Sequence, residues 1–329
     1  MDNKKIAIIG GSGFLGTRLA DLLTRENINF EIFDIARSPK YKSTTLDVED
    51  IESLKVLSKS NVFINLAALH RDDIKPLSRY DDVNVQGAVN VCDEARRNNV
   101  NKIIFTSSVA VYGFAPSGTD ERGEPNYFND YGRTKYLAEG VYKKWLAEDK
   151  ENRTLVIIRP TVIFGEGNRG NVYNLLKQVQ SKRFIMFGNG KNSKSMAYVE
   201  NVVSFIKHSM TLDTGLHIYN YIDKPDFDMN KLIKESKKIL FNKNNIGIRL
   251  PGFFGISIGY AADLISKISG RALPVSSIRV KKFMSTTSFI SSVNETGFSA
   301  NVKLEDGLSN TLKYEFMEDN SDKPIFETE

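Results

Sequence analysis

The sequence predicts an α/β fold: a doubly wound parallel sheet followed by a smaller C-terminal α/β lobe. Three observations carry that reading. A short apolar run opens directly into a glycine-spaced turn and an amphipathic helical stretch. Strand-like and helical segments then alternate as far as residue 165, the pattern of repeated strand–helix–strand units. The residues with chemical potential fall at the carboxyl ends of the strand-like runs, where open α/β sheets bind their ligands.

In order, Lys5 to Ile9 reads as a buried strand, and Gly10-Gly11-Ser12-Gly13-Phe14-Leu15-Gly16 follows at once. Phe14 to Arg25 has helical spacing, with Leu15, Leu19, Leu22 and Leu23 on one stripe. Glycines at 10, 13 and 16 allow a tight turn, close approach to a pyrophosphate, and close packing of helix on strand. Gly10, Gly13, Phe14, Leu15 and Gly16 are therefore candidate dinucleotide contacts, and the fold is Rossmann-type. A second strand, Asn29 to Phe33, ends in Asp34. A carboxylate there accepts both hydroxyls of a ribose and repels a 2′-phosphate, so NAD is expected over NADP; Arg37 nearby is the residue that favours NADP. Asp47-Val48 follows a short strand-like segment and is placed to flank an adenine. Val62 to Leu66 is a further strand ending in Ala67-Ala68, small side chains suited to close approach of a flat ring, and Leu66, Ala67 and Ala68 are assigned to the cofactor. Tyr80 to Asn98 reads as a long helix with Asn84 facing back toward the sheet. Lys102 to Thr106 is another buried strand, and it ends in Ser107-Ser108.

Composition bounds the function. At 329 residues the chain is long enough for one large domain with a smaller lobe. A net charge of +5 permits an acidic partner such as a diphosphate or an anionic lipid surface without calling for nucleic acid. The single cysteine, Cys92, excludes an internal disulfide framework and fits a reducing compartment. MDNKK passes straight into a strand-like run, so no signal peptide is expected. No apolar stretch reaches transmembrane length, and no metal site is expected.

The motif that organises the chemistry is YGRTK. Tyr131 and Lys135 are four residues apart, so on a helix both leave the same face. An ammonium beside a phenol favours the deprotonated form. A tyrosine acting as a base near neutrality needs its pKa lowered by roughly three units, about 4 kcal/mol. Ser108 at a strand end and a tyrosine on the next helix can converge on one substrate oxygen, with Ser107 as the alternative hydroxyl.

GGSGFLG, Asp34, NLAAL, TSSVAVYG, YGRTK and RPTVIFG stand in the order and spacing of the extended short-chain dehydrogenase/reductases, and this part of the chain resembles their sugar epimerase/dehydratase group. The resemblance implies bound NAD, with Ser108 and Tyr131 as the catalytic pair. It implies that Lys135 holds the nicotinamide ribose and lowers the Tyr131 pKa. Pro160 and the residues after it, including Val162, would cover the nicotinamide, and His70, just past NLAAL, would face the substrate. Relatives that dehydrate hexoses carry an Asp–Glu pair after the catalytic hydroxyl residue. Here Val109 and Ala110 stand there, which disfavours dehydration and leaves oxidation or reduction at a sugar carbon.

From Gly165 the sequence changes character. GNRGN is loop-like and opens a helix whose first turn can meet an anion, making Arg169 and Asn171 candidate ligands of a sugar diphosphate. Lys194 and Ser195 occupy positions where many relatives have an Arg–Asp pair, which points away from the usual nucleotide recognition. SSIRVKKF supplies Arg279 as a further diphosphate candidate. Leu250 to Ile268 is densely apolar, interrupted by glycines, and flanked by Arg249, Lys267 and Arg271; it suits either a helix in a membrane interface or one packed on the lobe's own core. These changes divide the chain into a Rossmann domain at 1–166, rejoined by 197–222, a substrate lobe at 167–196 and 223–318, and a flexible tail at 319–329.

RPTVIFGEGNRGNVYNLLKQ, KSMAYVENVV, YNYIDKPD and SSIRVKKF resemble, more narrowly, the bacterial epimerases acting at C4 of N-acetylglucosamine on undecaprenyl diphosphate. This resemblance implies a polyprenyl-diphosphate-linked amino sugar as substrate, a role in O-antigen synthesis, and a cytoplasmic enzyme peripherally associated with the inner face of the membrane through 250–268. A nucleotide-sugar (UDP-hexosamine) 4-epimerase and a 4-keto-hexosamine C4 reductase are the alternatives. A non-catalytic NAD(P)-sensing protein is a remote one, since it would not need Ser108, Tyr131 and Lys135 together. A homodimer is carried as an expectation of assembly.

Overall fold

The structure, a computed structural model, describes residues 5–58, 60–71, 74–269 and 277–328; in the helix Ser277–Met284 the side chains of 278, 279 and 282 lie outside the described residues. The strands are β1 (Ile6–Ile9), β2 (Phe30–Asp34), β3 (Ser43–Thr45), β4 (Val62–Asn65), β5 (Lys102–Thr106), β6 (Thr154–Pro160), β7 (Val162–Phe164), β8 (Ile185–Phe187), β9 (Ser193–Tyr198), β10 (Gly215–Tyr221), β11 (Asp223–Asp228) and β12 (Ile248–Leu250). The helices are α1 (Phe14–Arg25), α2 (Ser78–Tyr80), α3 (Gly87–Arg97), α4 (Asp130–Ala147), α5 (Asn171–Gln180), α6 (Val199–Ser209), α7 (Met229–Phe241), α8 (Gly252–Ser269), α9 (Ser277–Met284) and α10 (Leu304–Phe316).

Seven strands form one sheet in the order β10-β6-β5-β4-β1-β2-β3, every pair parallel. The chain winds outward from β1 in both directions, so the order reverses between β1 and β4. Alternate side chains of each strand enter different cores because successive Cβ atoms point to opposite faces. Ile6 and Ile8 pack with Leu19, Leu23, Val202 and Ile206 from α1 and α6, whereas Ala7 and Ile9 pack with Val91, Tyr142 and Trp145 from α3 and α4. That double burial explains why β1, β4 and β5 are apolar without alternation. After leaving the sheet at β6, the chain returns through α6 to β10, which pairs with β6 along its whole length.

The remaining strands make a three-stranded sheet, β11-β9-β7, and a two-stranded one, β12-β8. Two sequence expectations meet a different arrangement here. The long helix expected over 80–98 is α2 and α3 joined by a π-helical stretch, Asp81–Gln86, and this wider turn carries the buried Asn84. The expected flexible tail is corrected at its end, where Phe326 packs its ring 5.8 Å from that of Phe14 and bonds through its backbone to Gly167 and Arg169. In α8 the buried residues are the small ones, Gly255, Gly259 and Ala262, and a Cβ on Gly255 would meet the Phe187 ring at 2.8 Å. Phe253, Phe254, Ile258, Leu264, Ile265 and Ile268 therefore point outward, Phe253 being 62% and Ile268 78% exposed, instead of filling the lobe's core. Arg271 lies outside the described residues.

Candidate active site

The switch in strand order opens a crevice at the carboxyl ends of β1 and β4. Its floor is tight: Gly10 sits at φ +75°, and a Cβ there would overlap the Ala67 backbone. Beside it α1 starts at Phe14 with Gly13 as an N-cap that has no side chain to satisfy the first-turn N–H groups. Those groups are suited to hold a pyrophosphate. Asp34, ending β2, accepts the N–H of Ser12 through Oδ2 and of Ala36 through Oδ1, each at 2.9 Å. Its carboxylate is thus fixed beside the glycine turn. Leu66, Ala67 and Ala68 are partly exposed along the β4 side. Asp47 caps the Glu49 N–H, and Val48 is buried against Gly87. Asn84 accepts the Leu69 N–H at 2.8 Å and donates to Thr134 Oγ1 at 3.0 Å, tying the loop after β4 to α4.

α4 carries the chemistry. Asn129 caps it by accepting the Gly132 N–H at 2.9 Å. A Cβ on Gly132 would overlap the Ala110 carbonyl, so glycine in YGRTK lets the helix start lie directly against the 3₁₀ turn Val109–Tyr112. That contact brings Tyr131 to Ser108. The Ser108 Oγ accepts the Ala110 N–H at 3.1 Å, leaving its proton to donate to the Tyr131 oxygen. Ser107 is turned away and donates to Glu139 Oε1 at 2.6 Å, so the geometry separates the two serines.

The expected effect of Lys135 on Tyr131 differs. Burial pushes the Tyr131 phenol up to about 12, and the Ser108 hydrogen bond only partly opposes it. Lys135 is itself buried, which lowers its ammonium to about 7 against the pull of Glu139 one turn along. The reason is direction: Lys135 Nζ donates to Thr106 O at 2.6 Å and lies 4.5 Å above the Phe105 ring.

Beneath these groups lies a network that sequence reasoning missed. Glu139 is fully buried and takes both Nε and Nη2 of Arg159, at 2.8 and 2.6 Å. Arg159 Nη1 donates to the Tyr112 hydroxyl at 2.6 Å, which donates to Asn220 Oδ1 at 2.9 Å. Glu121 Oε1 accepts the N–H groups of both Asn220 and Ser292. The only local signal was a carboxylate at helical spacing from Lys135; its partner Arg159 lies on β6.

The predicted substrate residues are more scattered. His70 stands at the end of the β4 loop, its Nδ1 3.5 Å from Ala68 O. Pro160 is buried at the end of β6, and Val162 begins β7 half-exposed. Arg169 is ion-paired with the buried Glu315 and stacks over Tyr173, so it meets a carboxylate where a diphosphate was expected. Asn171 opens α5 and is exposed. Lys194 donates to Ser285 O and Thr287 Oγ1, and burial lowers it to about 8. The side chain of Arg279 lies outside the described residues.

A parallel sheet with a glycine-turn crevice and a Ser–Tyr–Lys set at its lip defines a dinucleotide-dependent enzyme of the short-chain dehydrogenase/reductase type. The chain belongs to the NAD dependent epimerase/dehydratase family, whose family model matches residues 6–221, and NAD is its cofactor. It is 46% identical over 332 aligned residues, 99% of this chain and 100% of the relative, to an N-acetyl-α-D-glucosaminyl-diphospho-ditrans,octacis-undecaprenol 4-epimerase of Escherichia coli O157:H7. It is 30% identical to a UDP-glucose 4-epimerase of Vibrio cholerae over 62% of this chain and 65% of that one. Among solved structures, a UDP-N-acetylglucosamine 4-epimerase from Bacillus cereus superposes with a TM-score of 0.74 at 16% identity, covering 94% of this chain and 98% of that one. At that identity the likeness speaks for the fold.

Proposed function

We propose that the chain inverts C4 of N-acetylglucosamine on undecaprenyl diphosphate, forming the N-acetylgalactosamine lipid used in O-antigen synthesis. The observation that carries this reading is an alignment, 46% identical overall, that takes in 99% of the chain and so covers the C-terminal part as well as the cofactor half. The lobe is where substrates are told apart. Val109 and Ala110 have no proton to transfer, so elimination of water has no acid/base pair beside Ser108.

NAD supplies a hydride acceptor that becomes the donor, so C4 is oxidised and re-reduced with no net redox change. Gly10, Gly13, Phe14, Leu15 and Gly16 would hold its pyrophosphate and Asp34 its adenosine ribose. Lys135 would hold the nicotinamide ribose. Tyr131 takes the proton from O4, directly or through Ser108, and returns it after the 4-keto sugar has turned its other face. Since burial holds the phenol high, Ser108 is the group on the protein that eases its loss of a proton. Rotation about the bond to phosphorus requires the diphosphate to be held while the sugar is not.

The division into a cofactor domain at 1–166 with 197–222, and a substrate lobe from the rest, belongs to the same reading. So does peripheral contact with the inner face of the cytoplasmic membrane. No helix of the described residues is long and apolar enough to cross a membrane, whereas α8 presents an outward apolar face flanked by Arg249 and Lys267.

The test is to incubate the pure protein, without added cofactor, with lipid-linked and UDP-linked N-acetylglucosamine. Epimerisation of the lipid-linked sugar is expected, and Tyr131→Phe should abolish it while NAD stays bound. Turnover of the UDP-sugar alone would replace this reading with a nucleotide-sugar epimerase. A stoichiometric demand for NADPH would replace it with a C4 reductase.

A further inference from the structure

Residues 324–328 run along the loop at 165–171, next to the start of α1. Phe326 donates its N–H to Gly167 O at 2.9 Å and accepts the Arg169 N–H at 2.8 Å, so the segment runs as a short bridge beside the loop at 165–171. Thr328 Oγ1 donates to Asn168 Oδ1 at 2.7 Å. The loop is shaped to receive it: a Cβ on Gly170 would lie 2.6 Å from Thr328 Oγ1, and one on Gly167 3.2 Å from Pro324 O. From this anchorage two contacts reach the two walls. The Phe326 ring packs on Phe14, the first residue of α1, and the Thr328 backbone carbonyl faces the His70 ring beyond β4. Gly10 and Ala67 meet at the floor between those walls. A segment packed on Phe14 at one end and set against His70 at the other therefore spans the mouth.

We propose that residues 324–328 form a strap that retains the dinucleotide, with Phe326 and Thr328 as positioning residues for it. A reaction that returns its cofactor to the starting state each cycle gains nothing from releasing it. Escape would require the strap to detach, which breaks the two backbone bonds of Phe326 and exposes its ring. The proposal rests on the use of NAD and is independent of which sugar is bound.

The test compares the full chain with a chain ending at Lys323 and with Phe326→Ala in the full chain. Each is loaded with NADH and chased with excess NAD, and the loss of bound-NADH fluorescence gives the release rate. Both variants should release NADH at least about tenfold faster, equivalent to about 1.4 kcal/mol, with only a small fall in the melting temperature of the cofactor-free protein. In the full chain, bound NAD should slow carboxypeptidase trimming of the last residues. Release within about twofold of the full chain in both variants overturns the proposal. So does equal trimming with and without NAD, or a loss of cofactor-free stability that accounts for faster release, because the segment is then ordinary packing.

Discussion

Charge and burial around Tyr131 set the working point of the site. The phenol is pushed up and the Lys135 ammonium down by the same water-poor pocket. The two side chains share a helix face, yet the ammonium is committed to the Thr106 carbonyl. Lys135 has a measurable consequence in the cofactor-free protein. Burial lowers its pKa to about 7 in the folded chain, against the ordinary 10.5 of a lysine. Between these values the unfolded chain binds more protons, so stability attributable to Lys135 rises with pH; below pH 7 both states are protonated and the dependence vanishes. Relative to Lys135→Met, the wild type should gain roughly 2 kcal/mol between pH 7 and pH 9 in urea unfolding. A pH-independent difference between the two would show that Lys135 titrates normally.

At the scale of elements, α4 and α8 show what spacing does and does not reveal. Tyr131 and Lys135 were legible because helical spacing is local, as were the glycine turn and Asp34 after their strands. Glu139 and Arg159 were not, because a carboxylate on a helix and an arginine in a strand look like surface residues until the two are seen to neutralise each other in the interior. The tail misled for a similar reason: its polar composition suggests fraying, and Phe326 finds its partner only when Phe14 is brought to it. α8 left two readings open because apolar density is the same in a core and at a membrane, and the inward turn of Gly255, Gly259 and Ala262 shows that its large apolar side chains do not fill a core. Each apolar side chain entering lipid contributes up to about 1.5–3 kcal/mol. Phe253→Ser with Phe254→Ser should therefore preserve the fold and weaken sedimentation with anionic liposomes, and activity should fall more on a long-chain lipid substrate than on a short-chain analogue. Undiminished liposome binding by the folded double mutant would place the membrane contact elsewhere.

At the scale of the whole molecule, hydrogen bonds under the site tie β6 and β10 to the segment at 290–292. The chain of bonds from Glu139 through Arg159, Tyr112 and Asn220 reaches Ile290, while Glu121 holds Ser292. This sets the Ser108–Tyr131 pair beside a continuous hydrogen-bonded network; under the proposed function the C-terminal part would hold one end of the substrate while the sugar turns over the crevice. The most direct measurement of redox-neutral inversion follows the hydrogen at C4. Lipid-linked N-acetylglucosamine carrying deuterium at C4, converted without added cofactor, is predicted to give N-acetylgalactosamine with the deuterium still at C4, because the hydride leaves and returns to one carbon. Product carrying protium at C4, or, in a parallel reaction with NAD added, deuterium recovered in the free cofactor in step with turnover, would contradict it.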